Sequence, residues 1–94
     1  MPGTQTVTAD GVIGVSGVAV RVFSAHVVSG AQAANVKLYN GTSATGDYTE
    51  LIGTANEGKE VVFGEHGTYF PAGCYADLTN ATSVSVDYEQ VSTI

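Results

Sequence analysis

Basic residues are scarce in this sequence: Arg21, Lys37 and Lys59 are the only three among 94 residues, against nine acidic ones. The formal net charge at pH 7 is therefore -6. Proteins that bind nucleic acid neutralise several phosphates with lysine and arginine, and anionic membrane surfaces attract the same side chains. Three dispersed basic residues cannot form such a patch, so the sequence predicts no nucleic-acid partner and no membrane partner.

Cysteine and long apolar runs are also nearly missing. The single cysteine, Cys74, cannot form a disulfide within the chain. No run approaches the roughly 20 apolar residues that cross a bilayer as a helix. The first ten residues, MPGTQTVTAD, lack both the basic part and the apolar part of a secretory signal. We therefore expect the protein to be synthesised in a cytoplasm.

Strong helix formers are few, with three leucines, three glutamines, two lysines, one arginine and one methionine. Valine, threonine and isoleucine instead contribute 14, 11 and 3 residues, and these β-branched side chains favour strands. Short alternating apolar runs are separated by polar, glycine-rich turns, and the clearest run alternates Val84, Val86 and Tyr88 with polar residues. The pattern predicts an all-β protein, a small antiparallel β-sandwich or jelly-roll-like domain of seven to eight strands.

The chain divides into a short polar start and one domain. Residues 1–10 are threonine-rich and are predicted to form an N-terminal arm or an edge strand, and residues 11–94 are predicted to be a single β-sandwich domain. A chain of this length buries only about 60–65% of its unfolded surface, so its stability margin is thin. Because oligomerisation or docking on a larger partner would add to that margin, we expect a homo-oligomer.

The longest apolar stretch, residues 18–29, changes phase in its middle. Val22 belongs to the first inward-facing set, whereas Phe23 and Ala25 belong to the opposite one. One extra residue in a strand moves every later side chain to the other face, so a β-bulge near Ser24 explains the change. The alternative is a central strand that is covered on both faces.

The groups that could carry out chemistry are isolated in the sequence. Cys74 follows a Pro-Ala-Gly bend with no adjacent base, which favours a small buried side chain over a nucleophile. His26 lies in the longest apolar stretch and His66 at a turn, with no spacing that indicates a metal site. No nucleophile elbow and no phosphate-binding loop is present. We therefore predict a non-enzymatic protein with no catalytic, cofactor-binding or metal-binding residues.

Threonines of the N-terminal segment and aromatic side chains are the main candidates for contact with other molecules. We expect the segment Thr4–Val15 to add to a neighbouring protein as a strand. Several tyrosines fall on outward positions, where the ring offers apolar area with a polar tip, although ordinary cross-strand packing also accounts for them. The predicted protein-contact residues are Thr4, Thr6, Val7, Tyr39, Tyr48, Tyr69, Phe70 and Tyr75.

Four segments between Asn35 and Glu89 form a set of motifs: Leu38–Ala44 (LYNGTSA), Val61–Phe63 (VVF), Phe70–Ala76 (FPAGCYA) and Ser85–Glu89 (SVDYE). Together they resemble a family of small β-sandwich proteins encoded by tailed bacteriophages. The resemblance implies a virion protein that is made in the host bacterial cytoplasm. The role it implies is that of a capsid decoration or cement protein, which binds the major capsid protein on the outer surface of the head and stabilises it, often as a homotrimer.

A carbohydrate-binding module of a phage fibre or tail, used for adhesion to the host surface, is the alternative function. Its site would lie on the loops Gly41–Asp47 and Glu65–Gly73 together with Tyr48, Tyr69 and Phe70. Because the chain contains no tryptophan, tyrosine would have to supply the stacking surface for a sugar.

Overall fold

Nine β-strands make up the regular structure of residues 2–91, the part of the chain that the computed structural model describes. No helix that could span a bilayer occurs within these residues. The strands are β1 (Pro2–Val7), β2 (Gly11–Ile13), β3 (Val20–Ser29), β4 (Asn35–Asn40), β5 (Tyr48–Ile52), β6 (Gly58–Val62), β7 (Thr68–Phe70), β8 (Cys74–Thr79) and β9 (Ala81–Gln90).

The strands form two antiparallel sheets with the winding of a jelly roll. One sheet has the order β1-β9-β3-β6, with β7 also paired to β3, and the other has the order β2-β8-β4-β5. Four sets of pairs show that the chain forms a ribbon folded back on itself: β1 with β9, β2 with β8, β3 with β6 and β7, and β4 with β5. The further pairs β3 with β9 and β4 with β8 roll that ribbon into two layers. The predicted all-β, jelly-roll-like architecture is confirmed.

The strand count is nine rather than seven to eight. The additional strand is β7, which has only three residues and leads directly into the bend at Pro71. A segment this short shows no period in the sequence, and it forms a strand because β3 extends beyond the end of β6 and pairs with it.

The core lies between the two sheets and consists largely of small aliphatic side chains. Val84 and Val86 are fully buried and Tyr88 packs against the core, which confirms the alternation predicted for β9. The buried cluster comprises Ile13, Val20, Val22, Ala25, Val27, Ala34, Val36, Leu38, Leu51, Phe70, Cys74, Ala76, Val84 and Val86.

A β-bulge interrupts β3 at Phe23, because Val22 pairs with Tyr88 whereas Ser24 pairs with the adjacent Asp87. The bulge predicted near Ser24 is confirmed. It allows Val22 on one side of it and Ala25 on the other to point into the same core. The expectation that Phe23 faces inward with Ala25 is corrected, since Phe23 is the extra residue of the bulge and is only half-buried.

The N-terminal segment is paired as an edge strand, because every residue of β1 is in register with β9. Its Gln5 side chain also reaches the edge of the other sheet. The Nε2 group of Gln5 donates to the Val12 carbonyl (3.0 Å), and the Gly14 N–H donates to Gln5 Oε1 (2.8 Å). One carboxamide therefore joins the two sheets on this side of the sandwich. Met1 and residues 92–94, the ends of the predicted arm and domain, lie outside the described residues.

A substitution in the turn between β6 and β7 can test how closely the backbone is packed around the bulge. Gly67 has φ of 69°, and a Cβ added there would lie 2.6 Å from the Val22 carbonyl oxygen. We expect Gly67→Ala to destabilise the fold by about 3 kcal/mol, because strain at positive φ and a backbone clash add together. Urea unfolding would measure the loss.

Gly64→Ala is the matched control for this substitution. Gly64 also has positive φ, 94°, but a Cβ there would meet nothing within 4 Å. Its expected loss is only about 1 kcal/mol, from the backbone conformation alone. Equal losses for the two variants would show that the contact with Val22 is unimportant.

Candidate functional site

Three tyrosines form a row across the outer face of the β2-β8-β4-β5 sheet. Tyr39 on β4 lies directly opposite Tyr48 on β5 and Tyr75 on β8, and the ring centroids of Tyr39 and Tyr48 are 5.2 Å apart. Tyr48 is 51% exposed, whereas the central Tyr39 is only 8% exposed. The prediction that Tyr39 is a contact residue is therefore corrected: it points outward, but its neighbours cover it. Tyr75 is half-buried.

Tyr69 on β7 is the other well-exposed tyrosine, at 48%. It lies opposite Arg21 in the register of β3 and β7, and the Arg21 guanidinium is 5.3 Å from the ring centroid. The same guanidinium donates from Nη1 to the His66 carbonyl (3.2 Å). Arg21 thus holds both the ring and the turn that precedes it. Lys37 contacts the ring of Tyr48 in a similar way, with its Nζ atom 5.0 Å from the centroid of the Tyr48 ring.

An open groove of about 210 Å³ lies between β5 and β7. Its lining includes residues of both strands, which belong to different sheets. The side chains of Tyr48 and Tyr69 nevertheless lie on the outer faces of their own sheets, because Leu51 of β5 and Phe70 of β7 are the buried residues. The two loops predicted for a carbohydrate site therefore meet at the groove without bringing these two rings together. The groove is lined by Asn40, Asp47, Tyr48, Thr49, Thr68, Tyr69 and Phe70.

Phe70 differs from the two tyrosines, because it is 2% exposed and belongs to the core. Its role as a surface contact residue is corrected for that reason. Asn40 and Thr49 were not predicted as site residues, and Thr68 was included only as part of the loop Glu65–Gly73. Asn40 was interpreted only as part of an Asn-Gly turn, and no local pattern indicates that Thr49 and Thr68 face the same groove.

Hydrogen bonds hold the two loops of the groove against each other. The Asn40 N–H donates to the Asp47 carbonyl (3.1 Å) and closes the β4–β5 loop on itself. Asn40 Oδ1 accepts from the Ala72 N–H (2.9 Å), and the Gly41 N–H donates to the Gly73 carbonyl (2.9 Å). Both of these bonds join the β4–β5 loop to the β7–β8 bend. The walls of the groove are therefore set by backbone contacts rather than by exposed side chains alone.

The outer face of the β1-β9-β3 sheet carries a ladder of short polar side chains centred on Asp87. Thr4 donates to Asp87 Oδ1 (2.6 Å), Ser24 donates to Asp87 Oδ2 (2.7 Å), and the hydroxyls of Thr6 and Ser85 are 2.7 Å apart. The hydrogen bonds from Thr4 and Ser24 lower the pKa of the Asp87 carboxyl below its ordinary value, because they favour the ionised form. The ladder fixes β1 on β9 from the solvent side.

The three predicted contact residues of β1 divide between its two faces. Thr4 and Thr6 are exposed on the outer face, as the prediction requires. Val7 is opposite Val84 in the register and packs against the core. Its predicted role as a contact residue is corrected, because an inward-facing side chain is shielded from partners by the sheet itself.

Cys74 is fully buried at the start of β8. Burial raises the pKa of its thiol to about 12, because the thiolate loses its hydration there. The thiol is therefore protonated at neutral pH, and the thiolate is the nucleophilic form. Within residues 2–91, no three side chains of His, Cys, Asp or Glu come together in a way that could hold a metal ion.

Comparisons with known proteins identify no relative of this chain. No protein-family model matches the chain, and no curated protein or solved structure is significantly similar to it. The resemblance of Asn35–Glu89 to phage β-sandwich proteins therefore rests on its motifs, and the candidate sites rest on geometry.

Asp87 makes the stability of the fold dependent on pH. A carboxyl whose pKa is lower in the folded state than in the unfolded state stabilises the fold above the unfolded value of about 3.9, and this contribution is lost as the pH falls through the folded-state pKa. We expect Asp87→Asn to lose about 0.5–1 kcal/mol at neutral pH, a modest figure because the carboxylate is exposed. Urea unfolding at several pH values would show that the variant lacks this part of the acid dependence.

Thr4→Val is the control for the cause of this effect, because it removes one hydroxyl and keeps the carboxylate. The pKa of Asp87, followed by NMR titration, should rise towards its ordinary value in this variant. An Asp87 that titrates identically with and without the Thr4 hydroxyl would contradict the assignment.

The Cys74 thiol is expected to report on global unfolding. Because it is buried and protonated, an aromatic disulfide reagent at neutral pH should react with it only when the protein opens. The reaction rate should rise with urea in parallel with the unfolded fraction, and the fully denatured protein should react at once. Rapid labelling under native conditions would show that the start of β8 is accessible.

Proposed function

We propose that this chain is a non-enzymatic structural protein of a tailed-phage virion, which decorates the outer surface of the head and stabilises it. Its partners are the major capsid protein and further copies of itself, with a trimer as the favoured assembly. The phage assignment rests on the motifs between Asn35 and Glu89. The observation that carries the assembly role is the exposed backbone edge of β1.

The other edges of the two sheets are protected against pairing with another chain. β2 and β7 have only three residues each, and the Gln5 carboxamide occupies backbone groups at β2. β5 carries the exposed Glu50 at its centre, and β6 carries the exposed Lys59 and Glu60. Short strands and charged side chains are the usual means of preventing edge-to-edge association.

Apart from Pro2 at its first position, β1 has none of these protections. It is six residues long, its sequence PGTQTV contains no charge, and no strand within residues 2–91 lies on its far side. The hydrogen bonds of Thr4 with Asp87 and of Thr6 with Ser85 keep the strand extended and in place. An ordered, uncharged edge of this kind suits β-augmentation, in which a neighbouring chain supplies the next strand.

Assembly through β1 fits both the size and the fold of the protein. A small domain gains stability by covering surface that its own core cannot cover. Because the other edges of the sheets are protected, the strand that β1 receives from the next copy has to come from outside the two sheets of that copy. Such a head-to-tail interface forms a ring, for example a trimer, when the rotation between copies closes. Jelly rolls occur in viral capsid proteins and in lectins, so the fold is compatible with this role.

A lysine placed on the β1 edge tests the proposal. Thr6→Lys is expected to give a monomer by light scattering and to weaken binding to isolated phage heads by at least about tenfold, which corresponds to about 1.4 kcal/mol. The reason is that a charged side chain on an edge strand opposes the approach of another strand. The unmodified chain should have the mass of a trimer.

Two matched variants separate this effect from its side effects. Thr6→Val removes the hydrogen bond to Ser85 but keeps the edge uncharged, so assembly and head binding should persist. Thr54→Lys adds the same charge at an exposed position between β5 and β6 and should also bind normally. Undiminished assembly and head binding of Thr6→Lys would contradict the role of β1.

A further inference from the structure

The loop between β4 and β5 begins at Asn40–Gly41, which is the only asparagine–glycine pair in the sequence. The other asparagines, Asn35, Asn56 and Asn80, are followed by valine, glutamate and alanine. Asparagine is a thermolabile residue, and it reacts fastest when the next residue is glycine, because no Cβ hinders the approach of the backbone nitrogen to the side chain. Asn40 is also exposed, so water has access to it. Among the four asparagines, Asn40 is therefore the one most prone to deamidation.

From the contacts of this pair we propose that Asn40 is a site of spontaneous deamidation, and that the folded β4–β5 loop slows the reaction. In the first step the Gly41 nitrogen loses its proton and attacks Asn40 Cγ. The new N–C bond forms as the bond from Cγ to Nδ2 breaks, and ammonia leaves. Water then opens the resulting succinimide at one of its two carbonyl carbons, which gives aspartate or isoaspartate at position 40.

Both reacting groups are held by the β7–β8 bend in the folded protein. The Gly41 N–H donates to the Gly73 carbonyl (2.9 Å), and this bond favours the protonated nitrogen over the form that attacks. Asn40 Oδ1 accepts from the Ala72 N–H (2.9 Å), so the carboxamide is not free to turn towards the Gly41 nitrogen. The reaction therefore requires the β4–β5 loop to leave the bend.

The two products differ in their effect on the groove between β5 and β7. Aspartate keeps the length of the main chain, and its carboxylate can still accept from the Ala72 N–H. Isoaspartate instead routes the main chain through the former side chain and lengthens it by one carbon. The Gly41 N–H is then displaced from the Gly73 carbonyl, and the hydrogen bond that joins the loop to the bend is lost. Formation of isoaspartate therefore releases one wall of the groove permanently.

Incubation of the full chain in mildly alkaline buffer, with and without denaturing urea, tests the proposal. Peptide mass spectrometry measures the conversion of amide to acid at Asn40, and enzymatic methylation of isoaspartate distinguishes the two products. The reaction should be at least about tenfold slower in the folded chain, because two hydrogen bonds must first break. Equal rates in the folded and unfolded chains, or no reaction at Asn40 in the unfolded chain, would overturn the proposal.

Two glycine variants identify the contact that protects Asn40. Gly73 has φ of 101°, and a Cβ added there would lie 3.3 Å from the Gly17 nitrogen and 3.5 Å from the Gly41 carbonyl oxygen. Gly73→Ala should loosen the bend and accelerate deamidation of the folded chain by roughly three- to tenfold. Gly64→Ala is the matched control, because Gly64 has φ of 94° with nothing within 4 Å of an added Cβ and lies outside the loop and the bend.

The control should deamidate at the rate of the unmodified chain. Equal rates for Gly73→Ala and Gly64→Ala, when thermal unfolding shows both to be folded, would contradict the role of the bend. If Gly73→Ala does not fold, the comparison of the unmodified chain with and without urea still decides the proposal. Because none of these measurements needs a phage head, their outcome is independent of the test of β1.

Discussion

The pairing of β3 with β9 is the interaction on which the rest of the structure depends. Both strands have ten residues, β9 also pairs with β1, and β3 also pairs with β6 and β7, so their whole sheet is assembled on these two strands. The bulge at Phe23 adjusts this pairing to two requirements at once. It keeps Val22 and Ala25 in the core, and it places Ser24 opposite Asp87 on the outer face, where Thr4 binds the second carboxylate oxygen.

The two sides of the sandwich differ in how their edge strands are arranged. At one side, β1 is fixed by the polar ladder on its outer face and by Gln5 between the sheets, yet its own backbone edge has no protecting charge. At the other side, β5 and β7 separate around a groove whose walls are held by Asn40 and Gly41.

Much of the fold could be predicted because it depends on local periodicity. The alternation of Val84, Val86 and Tyr88 identified β9, and the change of phase in residues 18–29 located the bulge. The exposure of the candidate surface residues was harder to predict, because the direction of a side chain does not determine whether it is exposed. Tyr39 points outward as its phase requires but is covered by Tyr48 and Tyr75, whereas Val7 and Phe70 point inward through the registers of β1 with β9 and of β7 with β3.

The sequence by itself determined the all-β class, the scarcity of cationic surface and the positions of most strands, because composition and a two-residue period are properties of neighbouring residues. Only the tertiary structure decided which strands became edges, that Gln5 closes one side, and that β5 and β7 line one groove. These features depend on contacts between segments that are distant in the chain and lie in different sheets. No local pattern records such contacts, since they arise when the folded ribbon is rolled and its two layers close over the valine core.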